Sequence, residues 1–361
     1  MPLDPFFAER LRVHRRYLIR QQKDALRARL SAWKTLLWGG PRAGMAPGSA
    51  EQPTADRGAA RARHRRAAEA WDRKELESVG TRGPELRTEE HHIAVPGYPS
   101  VRVRIYYPAS ADTSSVPVWL TFFGGAFRIG GIDYPTTDAA NRRRAHEAGV
   151  AIAAVDYALA PEHRFPTQIE QAHAALVWLH RNAHDLGVDP NRIGVAGTSA
   201  GASIAAALTL ANRDRAGLPI RRQLLEVPVT DLTGRHLDLR ATRALGIPSV
   251  IALRELRSVA RTYLAHRSDA RNPLASPLRA TSHAGLPEAA IFTAEFDPLR
   301  GDGIAYAARL RADGVPASAV QYLGVIHDTA VFTGVLPAAR RWHRDVVGVL
   351  ASLHAAGSSP S

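Results

Sequence analysis

A five-residue segment, Gly197 to Gly201, constrains the fold of this 361-residue chain more than any other part of it. An apolar run ending at Ala196 precedes the segment and a run of small residues from Ala202 follows it, which predicts a buried strand, a sharp turn and a helix. Glycine at both ends lets the backbone turn tightly, because a Cβ there would collide with the neighbouring strand or helix. Ser199 would then lie at the tip of the turn with its hydroxyl exposed, which is the geometry of a nucleophile elbow.

Strands and helices alternate from about residue 89 to the C-terminus, and this order predicts the fold class. Two segments of alternating apolar and polar residues around Pro96 and Gly97 predict an antiparallel hairpin. The apolar segments that follow are typical of a mostly parallel sheet with helices on both faces, an α/β fold. The predicted strands are 92–95, 101–107, 116–123, 148–157, 193–196, 224–229, 289–294 and 319–322, and the predicted helices are 166–183, 200–212, 303–313 and 337–354.

Residues 1–88 are predicted to be an N-terminal extension to a main domain of residues 89–361. Apolar residues at helical spacing over residues 1–45 predict a helix that packs on another surface or on a second copy of the chain. Residues 39–58 are predicted to be a loop, and a shorter helix is expected from about residue 59 to 76. A second helical segment without strands, about 232–268, follows the sixth strand and is a candidate lid.

Composition excludes several classes of site. The chain has no cysteine, which excludes disulfides, thiolate metal sites and a cysteine nucleophile, and we expect no cofactor and no metal. Its formal net charge of +13 comes almost entirely from arginine. The densest arginine clusters, at 61–66 and 142–144, lack interleaved aromatic residues on which bases could stack. We therefore interpret both clusters as solvated helix faces and expect no nucleic-acid partner.

The sequence also bears on the location of the chain. It contains no apolar run of about eighteen residues, so no stable membrane insertion is expected. The first residues lack a basic segment followed by an apolar one, which argues against a secretory signal. We expect a soluble, globular, cytoplasmic protein.

A serine hydroxyl becomes an effective nucleophile when a histidine accepts its proton, and that histidine needs a carboxylate to orient it. Asp297 follows the predicted strand 289–294, and His327 follows the predicted strand 319–322. Both therefore lie at strand ends, where the partners of Ser199 are required. The alternative for Asp297 is a helix N-cap, and the rivals of His327 are His343 and His354.

A tetrahedral oxyanion needs at least two backbone N–H donors directed at one point. Ala200, next to Ser199 at the helix start, would supply one of them. Gly125 and Ala126 lie in a loop directly after the predicted strand 116–123, and we expect them to supply the others. The alternative is that this loop is a plain turn at the end of a strand.

These motifs together resemble the hormone-sensitive-lipase-like branch of bacterial esterases and lipases, over about residues 90–350. Gly197 to Gly201 resembles the elbow of the subgroup with threonine before the serine, and Asp297 to Arg300 is similar to the acid loop. The segment from Asp156 to Pro166 is similar to the Tyr-Arg-Leu-Ala-Pro-Glu motif of the branch. Phe123 to Ala126 resembles its His-Gly-Gly-Gly loop, with phenylalanine in place of histidine and alanine in place of the last glycine.

The resemblance implies an α/β-hydrolase fold and hydrolysis of carboxylic esters by a Ser199, Asp297 and His327 triad. It also implies a cap formed by the N-terminal region and the insertion after the sixth strand. Two departures bear on the site. Phe123 replaces the histidine thought to brace the oxyanion loop, and Asp328 replaces the glycine that usually follows the catalytic histidine.

The expected substrate is a small acyl ester with a short acyl chain. Residues 33–38 and 247–256 are both too apolar to lie free in water, and we expect them to dock together and enclose a short acyl pocket. Three alternatives stay open: hydrolysis of an amide such as an N-acetylated small molecule, ligand binding without catalysis, and a homodimer formed through the N-terminal region.

Overall fold

An eight-stranded sheet is the centre of the second of two compact units, Met1–Arg66 and Ala67–Ser361. The structure is a computed structural model that describes residues 2–12, 52–112 and 115–355. The strands are β1 (Thr88–Val95), β2 (Tyr98–Tyr106), β3 (Val116–Phe122), β4 (Ala151–Asp156), β5 (Val188–Thr198), β6 (Arg222–Glu226), β7 (Glu288–Ala294) and β8 (Ala317–Tyr322). The described helices are α1 (residues 5–12), α2 (Gln52–Ser78), α3 (Pro135–Ala148), α4 (Thr167–Arg181), α5 (Ala200–Arg215), α6 (Leu239–Ala244), α7 (Ser249–Tyr263), α8 (Arg300–Ala312) and α9 (Pro337–Ala351).

The strand order in the sheet is β1-β2-β4-β3-β5-β6-β7-β8. The predicted hairpin of β1 and β2 is antiparallel, β2 also pairs antiparallel with β4, and the other pairs are parallel. The central strands are buried along most of their length, as their near-continuous apolar sequences predict. The predicted fold class, a mostly parallel sheet flanked by helices, is confirmed.

Helix α5 positions the site because it follows β5 directly. Every residue from Ala200 to Asn212 is buried, and most of them are small, which lets the helix pack closely on β5 and β6. Helix α4 packs against α5, while α3 packs against α9. The small residues after the elbow thus fix the start of α5 against the carboxyl ends of the central strands.

The structure corrects some of the predicted elements. The sequence indicated a helix at the arginine cluster 142–144 but gave it no bounds, and the structure shows α3 over Pro135–Ala148. Strand β6 ends at Glu226, three residues earlier than expected. Residues 52–58 are helical although they were predicted to be loop. Pro53 lies in the first turn of α2, where a proline is tolerated because the N–H that it lacks would have no partner in the helix. Residues 39–51 of that predicted loop lie outside the described residues.

The arginine cluster at 142–144 is not a solvated helix face. Arg143 has an exposed fraction of 9%, and the side chains of Arg142 and Arg144 are 19% and 15% exposed. They lie on α3, which packs against α9, and they pair with carboxylates: Arg142 with Asp138 and Arg144 with Glu226. By contrast, Arg63 and Arg66 of the other cluster are exposed, as predicted.

The insertion after the sixth strand has the predicted helical character. It contains α6 and α7 and no strand between the end of β6 and the start of β7. Residues 33–38, its predicted partner in a cap, lie outside the described residues. Among the residues that the structure describes, no helix is both long enough and apolar enough to cross a membrane.

Candidate active site

Ser199 lies on a strained turn between β5 and α5. Its φ and ψ are 54° and −114°, a conformation that a residue with a side chain rarely adopts. A Cβ on Gly197 would overlap the carbonyl group of Gly201, and a Cβ on Gly201 would overlap the carbonyl oxygen of Phe122. Both glycines are therefore required by close backbone approach, as the sequence predicted.

The structure brings Ser199, His327 and Asp297 into one hydrogen-bonded chain. Nε2 of His327 lies 3.0 Å from Oγ of Ser199, and Nδ1 of His327 lies 2.7 Å from Oδ2 of Asp297. In the neutral tautomer that suits this arrangement, Nδ1–H donates to the carboxylate and Nε2 accepts from the hydroxyl. This is the arrangement of a nucleophile, a base and an orienting acid.

The sheet explains why these side chains meet. Strands β7 and β8 are parallel neighbours, so the loops that carry Asp297 and His327 leave the sheet at the same edge. These two loops are also bonded to each other, since Phe296 N donates to Val325 O at 2.9 Å. Asp297 is 1% exposed, and its second oxygen accepts from Leu299 N at 2.9 Å. The carboxylate therefore closes the turn before α8 and contacts His327 at the same time.

The electrostatics of His327 favour the imidazolium. Burial lowers its pKa, but attraction to Asp297, the hydrogen bond to that carboxylate and attraction to Asp328 outweigh this and raise the pKa of His327 from 6.5 to about 9. Asp328, which departs from the motif of the resembling branch, thus adds to the stabilisation of the positive charge. An imidazolium is the form that His327 would take after accepting the proton of Ser199.

The rival side chains have other partners. Glu295 accepts from Gly324 N at 2.7 Å and so supports the loop before His327. His343 contacts Glu147 on α3 at 3.0 Å, and His354 contacts the carbonyl oxygen of Ala148 at 3.0 Å. Within residues 2–12, 52–112 and 115–355, no group of three or more His, Asp or Glu side chains could hold a metal ion.

The predicted oxyanion loop lies beside the elbow. A Cβ built on Gly124 would lie 3.6 Å from Cβ of Ser199. Gly125 and Ala126 have positive φ angles of 136° and 53°, and a Cβ on Gly125 would overlap the carbonyl oxygen of Ile129. In the described part of the chain, no acceptor is bonded to the N–H group of Gly125 or Ala126. Their role as donors to an oxyanion at Ser199 stays a prediction.

Two aromatic stacks hold this loop, and the sequence did not predict either of them. Phe123 stacks on Tyr157 with ring centroids 4.1 Å apart, and the Tyr157 hydroxyl donates to Phe123 O at 2.8 Å. Phe127 stacks on Tyr263 at 3.8 Å. Phe123, which stands where the resembling branch has histidine, is thus held by a stacked ring and by a hydrogen bond to its carbonyl oxygen. The place of Tyr157 in the segment from Asp156 to Pro166 was the only signal available in the sequence.

Comparison with known proteins agrees with the fold. Residues 119–331 match a protein family described as having the alpha/beta hydrolase fold. The chain is 39% identical to Esterase LipI of Mycobacterium tuberculosis over 275 residues, covering 75% of this chain and 84% of that protein. It is 35% identical over 276 residues to Carboxylesterase NlhH of the same species, covering 75% and 85%.

Solved structures give the same result. The structure resembles that of EstE1, a thermostable carboxylesterase cloned from a metagenomic library, with a TM-score of 0.73 and 34% sequence identity. The match covers 81% of this chain and 97% of EstE1. The chain therefore belongs to the α/β-hydrolase family, in the hormone-sensitive-lipase-like branch that its motifs indicated.

Proposed function

We propose that this chain is a serine esterase that hydrolyses short-chain acyl esters, with Ser199 as nucleophile, His327 as general base and acid, and Asp297 as orienting carboxylate. The observation that carries the proposal is the hydrogen-bonded chain from Ser199 Oγ through His327 to Asp297. Relatives named as esterases and carboxylesterases support it, because a triad alone does not distinguish an ester from an amide as the substrate.

In the first half of the reaction, Nε2 of His327 takes the proton of the Ser199 hydroxyl while Oγ attacks the ester carbonyl carbon. The carbonyl electron pair moves to oxygen, and N–H groups of Gly125, Ala126 and Ala200 would stabilise that negative charge. When the tetrahedral intermediate collapses, the bond to the alcohol oxygen breaks and His327 gives its proton to the leaving alcohol. The product is an acyl ester of Ser199.

In the second half, a water molecule takes the place of the alcohol. His327 accepts a proton from the water as its oxygen attacks the acyl carbon, and the bond to Ser199 Oγ then breaks. The proton returns to Oγ, and the carboxylic acid leaves. Asp297 stays ionised throughout and stabilises the imidazolium in both halves.

The preference for short acyl chains rests on the predicted cap. The insertion with α6 and α7 and the apolar N-terminal region would together limit the length of the acyl pocket. The homodimer and the cytoplasmic location likewise stay predictions from the sequence.

A panel of p-nitrophenyl esters from acetate to palmitate tests the proposed function. We expect kcat/KM to be highest between acetate and hexanoate and to fall steeply for longer chains. The p-nitroanilides of the same acids serve as matched amide substrates. Faster turnover of an anilide than of its ester would favour the amide-hydrolase alternative, and no turnover of any ester would contradict the proposal.

A further inference from the structure

A buried carboxylate lies directly beside the nucleophile elbow, at the end of β6. Glu226 is 1% exposed, and its main-chain oxygen accepts from Ser199 N at 2.8 Å. Its side-chain Oε1 accepts from the hydroxyl of Thr198, the residue before the nucleophile, at 3.3 Å. Glu226 therefore contacts the elbow through both its main chain and its side chain.

The same carboxylate is bonded to side chains on two helices, α3 and α9. Arg144 on α3 places Nη2 at 2.8 Å from Oε1 and 3.0 Å from Oε2. Trp342 on α9 donates its indole N–H to Oε2 at 2.7 Å. The buried negative charge is thus balanced by a guanidinium and satisfied by neutral donors, as a buried charge requires.

The backbone on either side of this contact is strained. Ser199 has a φ of 54°, and Val227, directly after Glu226, has a φ of 44°. A positive φ is a genuine outlier for a β-branched residue such as valine. Such conformations persist only where the surroundings over-determine them. The side chain of Glu226, anchored on α3 and α9, supplies such a constraint between the two strained residues.

We propose that Glu226 is a positioning residue for Ser199. It is bonded to the elbow through the Thr198 hydroxyl and through Ser199 N, and its carboxylate is bonded to α3 and α9. These bonds hold Oγ of Ser199 within hydrogen-bonding distance of His327. The proposal rests on the proposed esterase function for its kinetic readout. Because Glu226 is proposed to act on the position of the nucleophile, its loss should lower kcat while KM stays nearly constant. A role in overall stability alone would not produce this selective loss of kcat.

A matched pair of substitutions at Thr198 tests this link. Thr198→Val removes the hydroxyl and keeps the shape, whereas Thr198→Ser keeps the hydroxyl. We expect Thr198→Val to lower kcat several-fold with KM within twofold, while Thr198→Ser stays close to the wild type. Glu226→Gln should lower kcat by roughly tenfold or more, because small displacements of a reacting group are costly.

Trp119→Phe is the control for stability. It removes a buried indole N–H that donates to Leu350 O at 3.0 Å and is not bonded to Glu226, so we expect a lower melting temperature with kcat within twofold of the wild type. The rate of Ser199 labelling by an organophosphate is measured in parallel, because it reports the position of the nucleophile without an ester substrate. Wild-type labelling without ester turnover would reject the proposed function. The labelling rates of the variants would then still support or overturn the inference about Glu226.

Two results would overturn the inference. One is that Thr198→Val keeps kcat and the labelling rate within twofold of the wild type, whatever the fate of the Glu226 variant. The other is that Thr198→Ser is impaired as much as Thr198→Val, since the hydroxyl would then not be the group that matters.

Discussion

His327 is the residue whose protonation decides when the site can act. Its pKa is raised to about 9 because attraction to Asp297 and Asp328 outweighs burial. The imidazolium cannot accept the proton of Ser199, so kcat/KM for an ester should rise with pH and level off only above about pH 9. A pH profile with p-nitrophenyl butyrate checks this. A plateau that already begins near pH 6 would contradict it.

The same pKa shift contributes to folding. Because the folded state holds the proton more tightly, this contribution is fully present below pH 6.5, the ordinary pKa, and is lost as the pH rises through about 9. The pH range of highest activity is therefore one in which this particular contribution to stability has largely gone.

Asp297→Asn tests the carboxylate at two levels. The asparagine cannot stabilise the imidazolium, so kcat should fall by orders of magnitude, about 10⁴-fold where the equivalent change has been made in a serine protease. The pKa of His327 should also fall toward its ordinary value, which moves the rising limb of the pH profile to lower pH. Glu295→Gln is the matched control and should be much milder, because Glu295 bonds to Gly324 N. The reverse ranking would mean that Glu295 is the triad acid.

At the scale of elements, the insertion and the oxyanion loop are joined by a stack of two rings. Tyr263 is the last residue of α7, and Phe127 directly follows the loop residues Gly125 and Ala126. Arg128, the next residue, pairs with Glu255 on the same helix at 2.5 Å. Movement of α7 would therefore be transmitted to the donors of the oxyanion hole.

Tyr263→Ala should lower kcat about tenfold, because the loop donors lose their alignment with the oxyanion. It should also destabilise the fold by about 3–5 kcal/mol, as expected when a large buried aromatic side chain is truncated. Tyr263→Phe keeps the ring stack and serves as the control, with kcat close to that of the wild type. Steady-state kinetics and urea unfolding measure the two effects. If kcat per folded molecule is unchanged in Tyr263→Ala, the stack does not align the loop.

The sequence sufficed where local pattern decides the structure. The elbow follows the apolar end of β5, and Asp297 and His327 lie on the loops after the neighbouring strands β7 and β8. Parallel strands bring such loops to one edge of the sheet, so the chain order indicated where Ser199, Asp297 and His327 would lie. The contacts of Glu226 could not be predicted in this way. Its partners Thr198, Arg144 and Trp342 are 28, 82 and 116 residues away, and only the packed structure brings them together.

The arginine cluster at 142–144 shows the same limit. A run of three charges is usually solvated, and nothing in the local sequence indicates that its helix packs against α9. Its burial follows from acidic partners elsewhere, Asp138 within α3 and Glu226 on β6. The charge pattern of the sequence therefore did not distinguish buried, ion-paired arginines from solvated ones.

At the scale of the whole molecule, the N-terminal region is predicted to contribute to the cap. The sequence predicts that residues 1–45 pack over another apolar surface. Deleting them should raise KM for short esters and expose apolar surface, with aggregation as a consequence. Kinetics and light scattering of the truncated chain check this. A truncated chain that stays monodisperse with unchanged KM would exclude a role for this region in the cap.

The most direct test of the central claim is covalent labelling of Ser199. Wild-type protein is treated with an organophosphate, the modified peptide is identified by mass spectrometry, and ester turnover is followed in the same sample. We expect one label per chain, on Ser199, with activity lost in proportion to labelling, and a Ser199→Ala variant that is neither labelled nor active. A label on another residue, or ester turnover retained by Ser199→Ala, would contradict that claim.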